Sequence, residues 1–442
     1  MCRSIRPDLD GSGTASEQGR SNVVNKGNDH AYNQVRARVH MRSNHARRIH
    51  LKRCLACWAA AMLLSGSTVA FAQSGLFVVP WLVVEQAYDD NLFFDPEDEQ
   101  SDWYTRVSPR LEVGFESETL YWLLSFQNDA EWYNNFSELD SNSARQFGLG
   151  TIEYEVNRRW TLTGDAEYVK TNTAGDIGLI PGIPVGGIPG SLGREEAERL
   201  FFAAGADYLF TPELSGSFLV SYVDDTLIGS SDNDTLFVGG DLEHILSPVR
   251  SLFYGYKYRH YDFQNQAETE PVTVVNETEY SNTAWVGLTQ VLSENSVLEV
   301  QAGPRVSDGD LEPYFLFSWR REYARGSTSI DALWDESTLL GEVGILESKS
   351  VQLTWRHEFT RELEVSSSAG FANLTGTDFS SDITYFDFFA YYRFSPAIFL
   401  TARYQFNAQD GDPIGVPVGR VTQNVASLSI TFTRPRRESE RT

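Results

Sequence analysis

Cysteine is almost missing: there are three in 442 residues, and all of them (Cys2, Cys54, Cys57) lie near the N-terminus. No run of about 18 apolar residues occurs, the minimum for a transmembrane helix, so a helical membrane protein is excluded. A membrane β-barrel is not excluded, because its strands alternate and keep mean hydropathy low. Basic residues are also few, 36 Lys and Arg against 61 Asp and Glu, for a net charge of −25. A nucleic-acid binder needs a basic patch to neutralise phosphates, and this balance argues against one.

The N-terminal region reads as an export signal. Arg47, Arg48, Lys52 and Arg53 precede the apolar run Cys54–Leu64, and small residues lead to Ala70-Phe71-Ala72 before Gln73. A positive region, a short apolar core and an A-x-A triplet make a secretory signal with cleavage after Ala72. Residues 1–40 show no periodicity, and Met41 starts a signal of ordinary length, so 1–40 reads as a leader that lies outside the true start or is disordered, and 41–72 as the signal peptide. Arg47-Arg48 resembles a twin-arginine motif, but His50 stands where a large apolar residue is usual. Cys57 has no apolar run before it, which disfavours lipoprotein processing. Removal of 1–72 takes away 11 bases and 4 acids and leaves 25 against 57, a net charge of −32. The mature chain holds no cysteine, which excludes disulfides, thiol catalysis and cysteine metal sites.

Residues 73–434 show one recurring pattern, period-two alternation over short segments, the mark of strands with one apolar and one polar face. Leu252, Tyr254, Tyr256 and Tyr258 share a face, opposite Gly255, Lys257 and Arg259. Val351, Leu353, Trp355 and Phe359 oppose Gln352, Thr354, Arg356 and Glu358, and Ile398, Leu400, Ala402 and Tyr404 oppose Thr401, Arg403 and Gln405. A soluble sandwich would bury these mid-strand charges at high cost. About 18 such segments run from 76–88 to 421–433, including 235–246, 251–262, 280–292 and 397–407. Connections alternate between short (157–159, 211–213, 247–250, 293–295, 360–361, 395–396) and long (89–102, 134–144, 172–197, 225–234, 263–279, 408–420). The expected fold is therefore all-β: a transmembrane up-and-down antiparallel barrel with short periplasmic turns and long extracellular loops. Residues 435–442 form a C-terminal tail.

Tyr88-Asp89-Asp90-Asn91-Leu92-Phe93 resembles the Y-D-D-N signature that opens outer-membrane proteins of the β-barrel porin type. The turns Phe210-Thr211-Pro212-Glu213-Leu214, Phe359-Thr360-Arg361-Glu362-Leu363 and Phe394-Ser395-Pro396-Ala397-Ile398 are similar to turns of that family. The resemblance spans nearly all of 76–434. It implies an outer-membrane barrel, sometimes associated with polysaccharide export, and no established substrate. One departure is that Phe432 is followed by further residues, where many such chains end on an aromatic.

Little in the mature chain points to chemistry. His244, His260 and His357 are far apart, with no second ligand at metal spacing. His260 and Asp262 share a strand face, as some outer-membrane proteases require, but the acids Asp89 and Asp90 belong to a distant strand, and a general base needs its partner within hydrogen-bond reach. The expectation is a protein that is not an enzyme and carries no cofactor or metal. The acidic loops 89–102 and 262–279 read as a solvated rim, with calcium or magnesium coordination as the rival reading. Trp132, Tyr133, Trp160, Trp334, Trp355 and Tyr391 fit aromatic girdles.

These residues lead to a channel in the outer membrane of a Gram-negative bacterium that passes hydrophilic solutes. The alternatives are an exopolysaccharide export component and a structural barrel with a closed lumen. The expected lumen-lining bases are Arg106, Arg110, Arg199, Lys257, Arg259, Arg305, Arg320, Arg356, Arg393 and Arg403. They face acids in similar number, Glu131 and Asp387 among them, so strong ion selectivity is not expected. Ser217, Gly239, Gly303 and Ser429 are expected to leave lumen space. The Gly/Pro-rich connection 172–197 carries Leu179, Ile180, Ile183, Val185 and Ile188 and is expected to fold inward as a constriction, with subunit contact or plain disorder as the alternatives. The expected surroundings are outer-membrane lipid and lipopolysaccharide, reached through periplasmic chaperones and the barrel-assembly machinery. A homo-oligomer and polysaccharide-export partners stay open.

Overall fold

The computed structural model describes residues 75–173, 196–227, 231–267, 273–338, 344–376, 380–412 and 418–434. The leader, the signal peptide, the tail and the apolar stretch Leu179, Ile180, Ile183, Val185 and Ile188 lie outside the described residues. Eighteen strands follow in chain order: β1 (Leu76–Asp89), β2 (Asp102–Glu116), β3 (Leu120–Tyr133), β4 (Ser141–Asn157), β5 (Trp160–Thr171), β6 (Ala197–Thr211), β7 (Leu214–Leu227), β8 (Ser231–Ser247) and β9 (Arg250–Ala267), then β10 (Thr273–Ser293), β11 (Ser296–Ser307), β12 (Asp310–Tyr323), β13 (Gly326–Ser337), β14 (Leu346–Glu358), β15 (Leu363–Thr375), β16 (Ser380–Ser395), β17 (Ile398–Asp412) and β18 (Val418–Thr433). Each strand pairs with its sequence neighbours, and β1 pairs with both β2 and β18, which closes the ring. Besides strands, the described residues hold one 3-10 turn, Ser137–Leu139. No helix among them is long and apolar enough to cross a membrane, a statement that says nothing of barrels.

Strand alternation sets the two faces. On β14, Leu353 is 47% exposed and its neighbour Gln352 only 4%. On β9, Tyr254 and Tyr256 are exposed and Lys257 is buried. The outer face thus carries the apolar side chains, and the inner face carries the charged ones.

The loop-side ends differ from the sequence expectation. β8 begins at Ser231, β9 runs to Ala267, β10 begins at Thr273 and β17 runs to Asp412, so the connections there are shorter than expected. These outer strand ends carry no apolar alternation, so periodicity cannot mark them as strand. The connection between β11 and β12 is a two-residue turn, Asp308-Gly309, with φ of 45° and 92°. That Asp-Gly pair matches a type I′ hairpin, whose central residues both need positive φ.

Six of the eight tight turns at the opposite end share one construction. Asn157, Thr211, Ser247, Ser293 and Ser395 each accept, through a side-chain oxygen, the backbone N–H two residues on. Thr360 does the same for Glu362. Such Asx and ST turns let a short polar side chain replace a missing ladder bond. The residue before each is large, apolar and exposed: Val156, Phe210, Leu246, Leu292, Phe359 and Phe394. With Trp160 and Tyr392 they ring the outer face near the turns, as a girdle at a membrane interface would. Trp132, Trp334 and Trp355 keep the outward positions expected of them, but Tyr133 and Tyr391 point inward. Tyr133 is buried and donates to Glu131 at 2.5 Å, and Tyr391 stacks on Phe399 at 5.2 Å.

The Tyr88–Phe93 segment fastens the seam of the barrel. Asp89 accepts from Gln423 (2.9 Å), and Asp90 accepts from the backbone and side chain of Asn424 (2.6 and 2.7 Å). Asn91 is fully buried, donates to the carbonyls of Asp95 and Thr422, and accepts from the Asp95 amide. The motif therefore ties the first strand to the last. Asn91→Ala should lower folding stability by about 2 kcal/mol, since it strands buried backbone groups. The check is the temperature at which the folded band disappears in heat-modifiability gels; an unchanged temperature would refute the clasp.

Candidate functional site

The lumenal charges pair along one strand or between adjacent strands and neutralise one another. Arg106 donates to Glu131 at 2.7 Å, and Arg110 meets Glu112 at 2.7 Å. Arg145 pairs with Asp129 (2.8 Å), Arg199 with Asp225 (2.6 Å), Arg356 with Glu364 (2.7 Å) and Arg403 with Asp387 (3.3 Å). Arg320 shares the inner face of β12 with Tyr314 and Ser318 near the turn end and is exposed. Near the seam, Trp81, Phe389, Tyr391 and Phe399 join Arg110 and Arg403 in an aromatic and basic stretch of the inner wall, with the Arg403 guanidinium 4.9 Å from the Phe389 ring centre.

Two of the glycines expected to leave space stand close to neighbouring groups of the wall. A Cβ on Gly303 would lie 1.8 Å from the Ala284 carbonyl oxygen, and one on Gly239 would lie 2.6 Å from the Phe237 ring. Both glycines allow the close approach of a neighbouring group.

Departure from the regular wall occurs at β13. It pairs with β12 from Tyr323↔Gly326 only as far as Phe315↔Trp334, while its pairing with β14 continues to Ser337↔Leu346. Asp335, Glu336 and Ser337 are nonetheless buried. Asp335 accepts from Lys257 (2.5 Å) and Arg259 (3.0 Å) on β9 and from Arg305 (3.4 Å) on β11. Glu336 accepts from Arg259 (3.0 Å), the Tyr261 hydroxyl (3.0 Å), Ser307 (3.2 Å) and Ser281. The Ile345 amide reaches Glu279 on β10 at 2.9 Å. Along the wall, β9 and β13 are four strand spacings apart, roughly 19 Å. Lys257 and Arg305 are on the inner face. The loop-side tip of β13, Asp335–Ser337, has therefore folded inward and lies across the inside of β10–β12.

Register explains the receiving surface. Lys257, Thr283, Arg305 and Glu312 are successive partners across β9 to β12, and Arg259, Ser281 and Ser307 form the next row. Arg305 is fully buried and also bonds Glu312. Three cations thus meet three carboxylates, Asp335, Glu336 and Glu312. Lys257 Nζ also lies 4.3 Å from the Tyr314 ring centre and 5.9 Å from that of Trp285.

Sequence reasoning placed Lys257, Arg259 and Arg305 on the inner face but missed their partners. The available signal was Asp335-Glu336, two adjacent acids where alternation allows only one inward residue.

Acids of the 89–102 loop are spent on local hydrogen bonds. Asp95 accepts from the amides of Glu97 and Asp98, and Asp102 accepts from those of Asn135 and Phe136. Among the described residues no group of His, Cys, Asp and Glu is arranged to hold a metal. His260 and Asp262 lie 3.3 Å apart on the outer face of β9, eight strands from β1.

A closed ring of antiparallel strands, apolar outside and charged within, defines a transmembrane up-and-down β-barrel. No family model matches the chain, and no curated protein matches it. Among solved structures it is similar to OpdQ of Pseudomonas aeruginosa, at 12% identity over 81% of this chain and 98% of that one, with a TM-score of 0.43. It is also similar to the siderophore receptor PirA from Pseudomonas aeruginosa (8% identity, 81% and 80% covered, TM-score 0.42). The FrpB iron transporter from Neisseria meningitidis is a third (9%, 80% and 81%, 0.39). The likeness is one of fold alone.

Proposed function

We propose that this chain is a passive channel in the outer membrane of a Gram-negative bacterium, passing hydrophilic solutes through its lumen without chemistry. The closed 18-strand ring carries the reading, because barrels of 16–18 strands enclose an aqueous channel. Its paired wall charges favour a polar, wetted interior with little net ion preference outside the β9–β13 cluster. The tight turns then face the periplasm, and lipopolysaccharide surrounds the loop side. Delivery runs through periplasmic chaperones and the barrel-assembly machinery.

Purified, heat-modifiable protein added to a planar lipid bilayer should produce discrete conductance steps in potassium chloride. Folded protein that inserts and gives no steps would overturn the channel.

A further inference from the structure

We infer that Lys257, Arg259 and Arg305 form a binding site for the carboxylates of a di- or polycarboxylate solute, a site held in this conformation by the chain's own Asp335 and Glu336. The inference rests on the channel reading above.

Every donor to the two carboxylates comes from the barrel wall. Lys257, Arg259 and Tyr261 lie on β9, Ser281 on β10, and Arg305 and Ser307 on β11. Withdrawal of Asp335–Ser337 would leave this surface intact, with three cations against Glu312 alone. The wall does not need the tip: β12 and β13 stay paired through Trp334, and beyond that residue β13 holds no ladder bond to β12. The tip is therefore retained by β14 and by side-chain bonds.

The receiving surface is also preorganised. Arg259 spans both carboxylates: Nη2 donates to Asp335, and Nη1 donates to both Glu336 and Asp335, the fork geometry that suits neighbouring carboxylates. Tyr314 and Trp285 flank the Lys257 ammonium, which favours a fixed cation. Between Lys257 and Arg305 in register lies Thr283, fully buried, whose hydroxyl has no hydrogen-bond partner among the described residues. The tip leaves that hydroxyl unused, and a solute with a further acceptor can take it. A tethered ligand competes at an effective concentration of roughly millimolar order, so a free solute must reach a similar range to displace it.

The test is single-channel recording of the wild-type protein with glutarate added on the loop side, and with its neutral diamide, glutaramide, as the control. Glutarate should shift the protein to a higher-conductance level, saturating at roughly millimolar concentration, and glutaramide should not. Arg259→Gln should weaken the glutarate response roughly tenfold or more, the order expected for one lost charge-assisted partner. The double variant Asp335→Asn/Glu336→Gln should start at the higher level and show an anion-shifted reversal potential in a salt gradient. Equal responses to glutarate and glutaramide would overturn the inference, as would a folded double variant with wild-type conductance and selectivity. If the double variant does not fold, the wild-type comparison decides. Normal chloride steps that ignore glutarate would sink this site and leave the channel standing, whereas absence of all steps would sink the channel first.

Discussion

Arg305→Leu is expected to lower folding stability by about 3–5 kcal/mol, the cost of stripping one partner from a buried ion cluster. The Arg305 side chain is fully buried between Glu312, Asp335 and Glu336. Leucine fills part of the volume and supplies no donor. Glu336, whose side chain is also fully buried, then keeps Arg259 as its cation, and Asp335 keeps Lys257 and Arg259. Arg305→Lys should fall between, since an ammonium retains the charge but cannot fork. The measurement is guanidinium unfolding in lipid vesicles, followed by tryptophan fluorescence. Adding Asp335→Asn and Glu336→Gln to Arg305→Leu should recover part of the loss, because the unpaired acids are then neutral. A single variant as stable as wild type would show that the cluster does not hold the tip.

That cluster also marks where sequence legibility stops. The strand count and both faces were readable because a barrel strand advertises itself by alternation, as Leu353 and Gln352 do. Alternation is blind to two things. It cannot see strand beyond the apolar belt, so the outer ends of β9 and β10 read as loop. Nor can it see a strand that leaves its neighbour: Asp335 reads as the end of an ordinary strand with Glu336 just beyond it, and their partners lie 75 to 78 residues away on β9 and 29 to 30 away on β11. Glycine misled in a related way. Gly303 suggests lumen space in a sequence, but the approach of the Ala284 carbonyl shows that it also makes room for the neighbouring strand. The turn motifs were legible as a resemblance and are now explained by their polar residue and the exposed apolar residue before it.

Leu353→Arg is the second large effect expected, about 2–4 kcal/mol of lost stability in a bilayer, the cost of a charge on the lipid face near mid-depth. Leu353 sits on the outer face of β14, registered against Ile330 and Ala369, five residues from the end of the strand at Glu358. No acid is directly opposite it on either neighbouring strand, so the guanidinium must stretch toward the interface or draw water with it. The matching control is one residue away. Gln352 faces inward and is registered against Asp331, so Gln352→Arg places the same charge opposite a carboxylate. That variant should cost little, because the inner wall already carries such cross-strand pairs, Arg106 with Glu131 among them. Both variants are compared with wild type by unfolding in vesicles and by heat-modifiable gel mobility. A stable Leu353→Arg beside an unfolded Gln352→Arg would mean that the faces are inverted, and that the charges placed in the lumen look toward lipid.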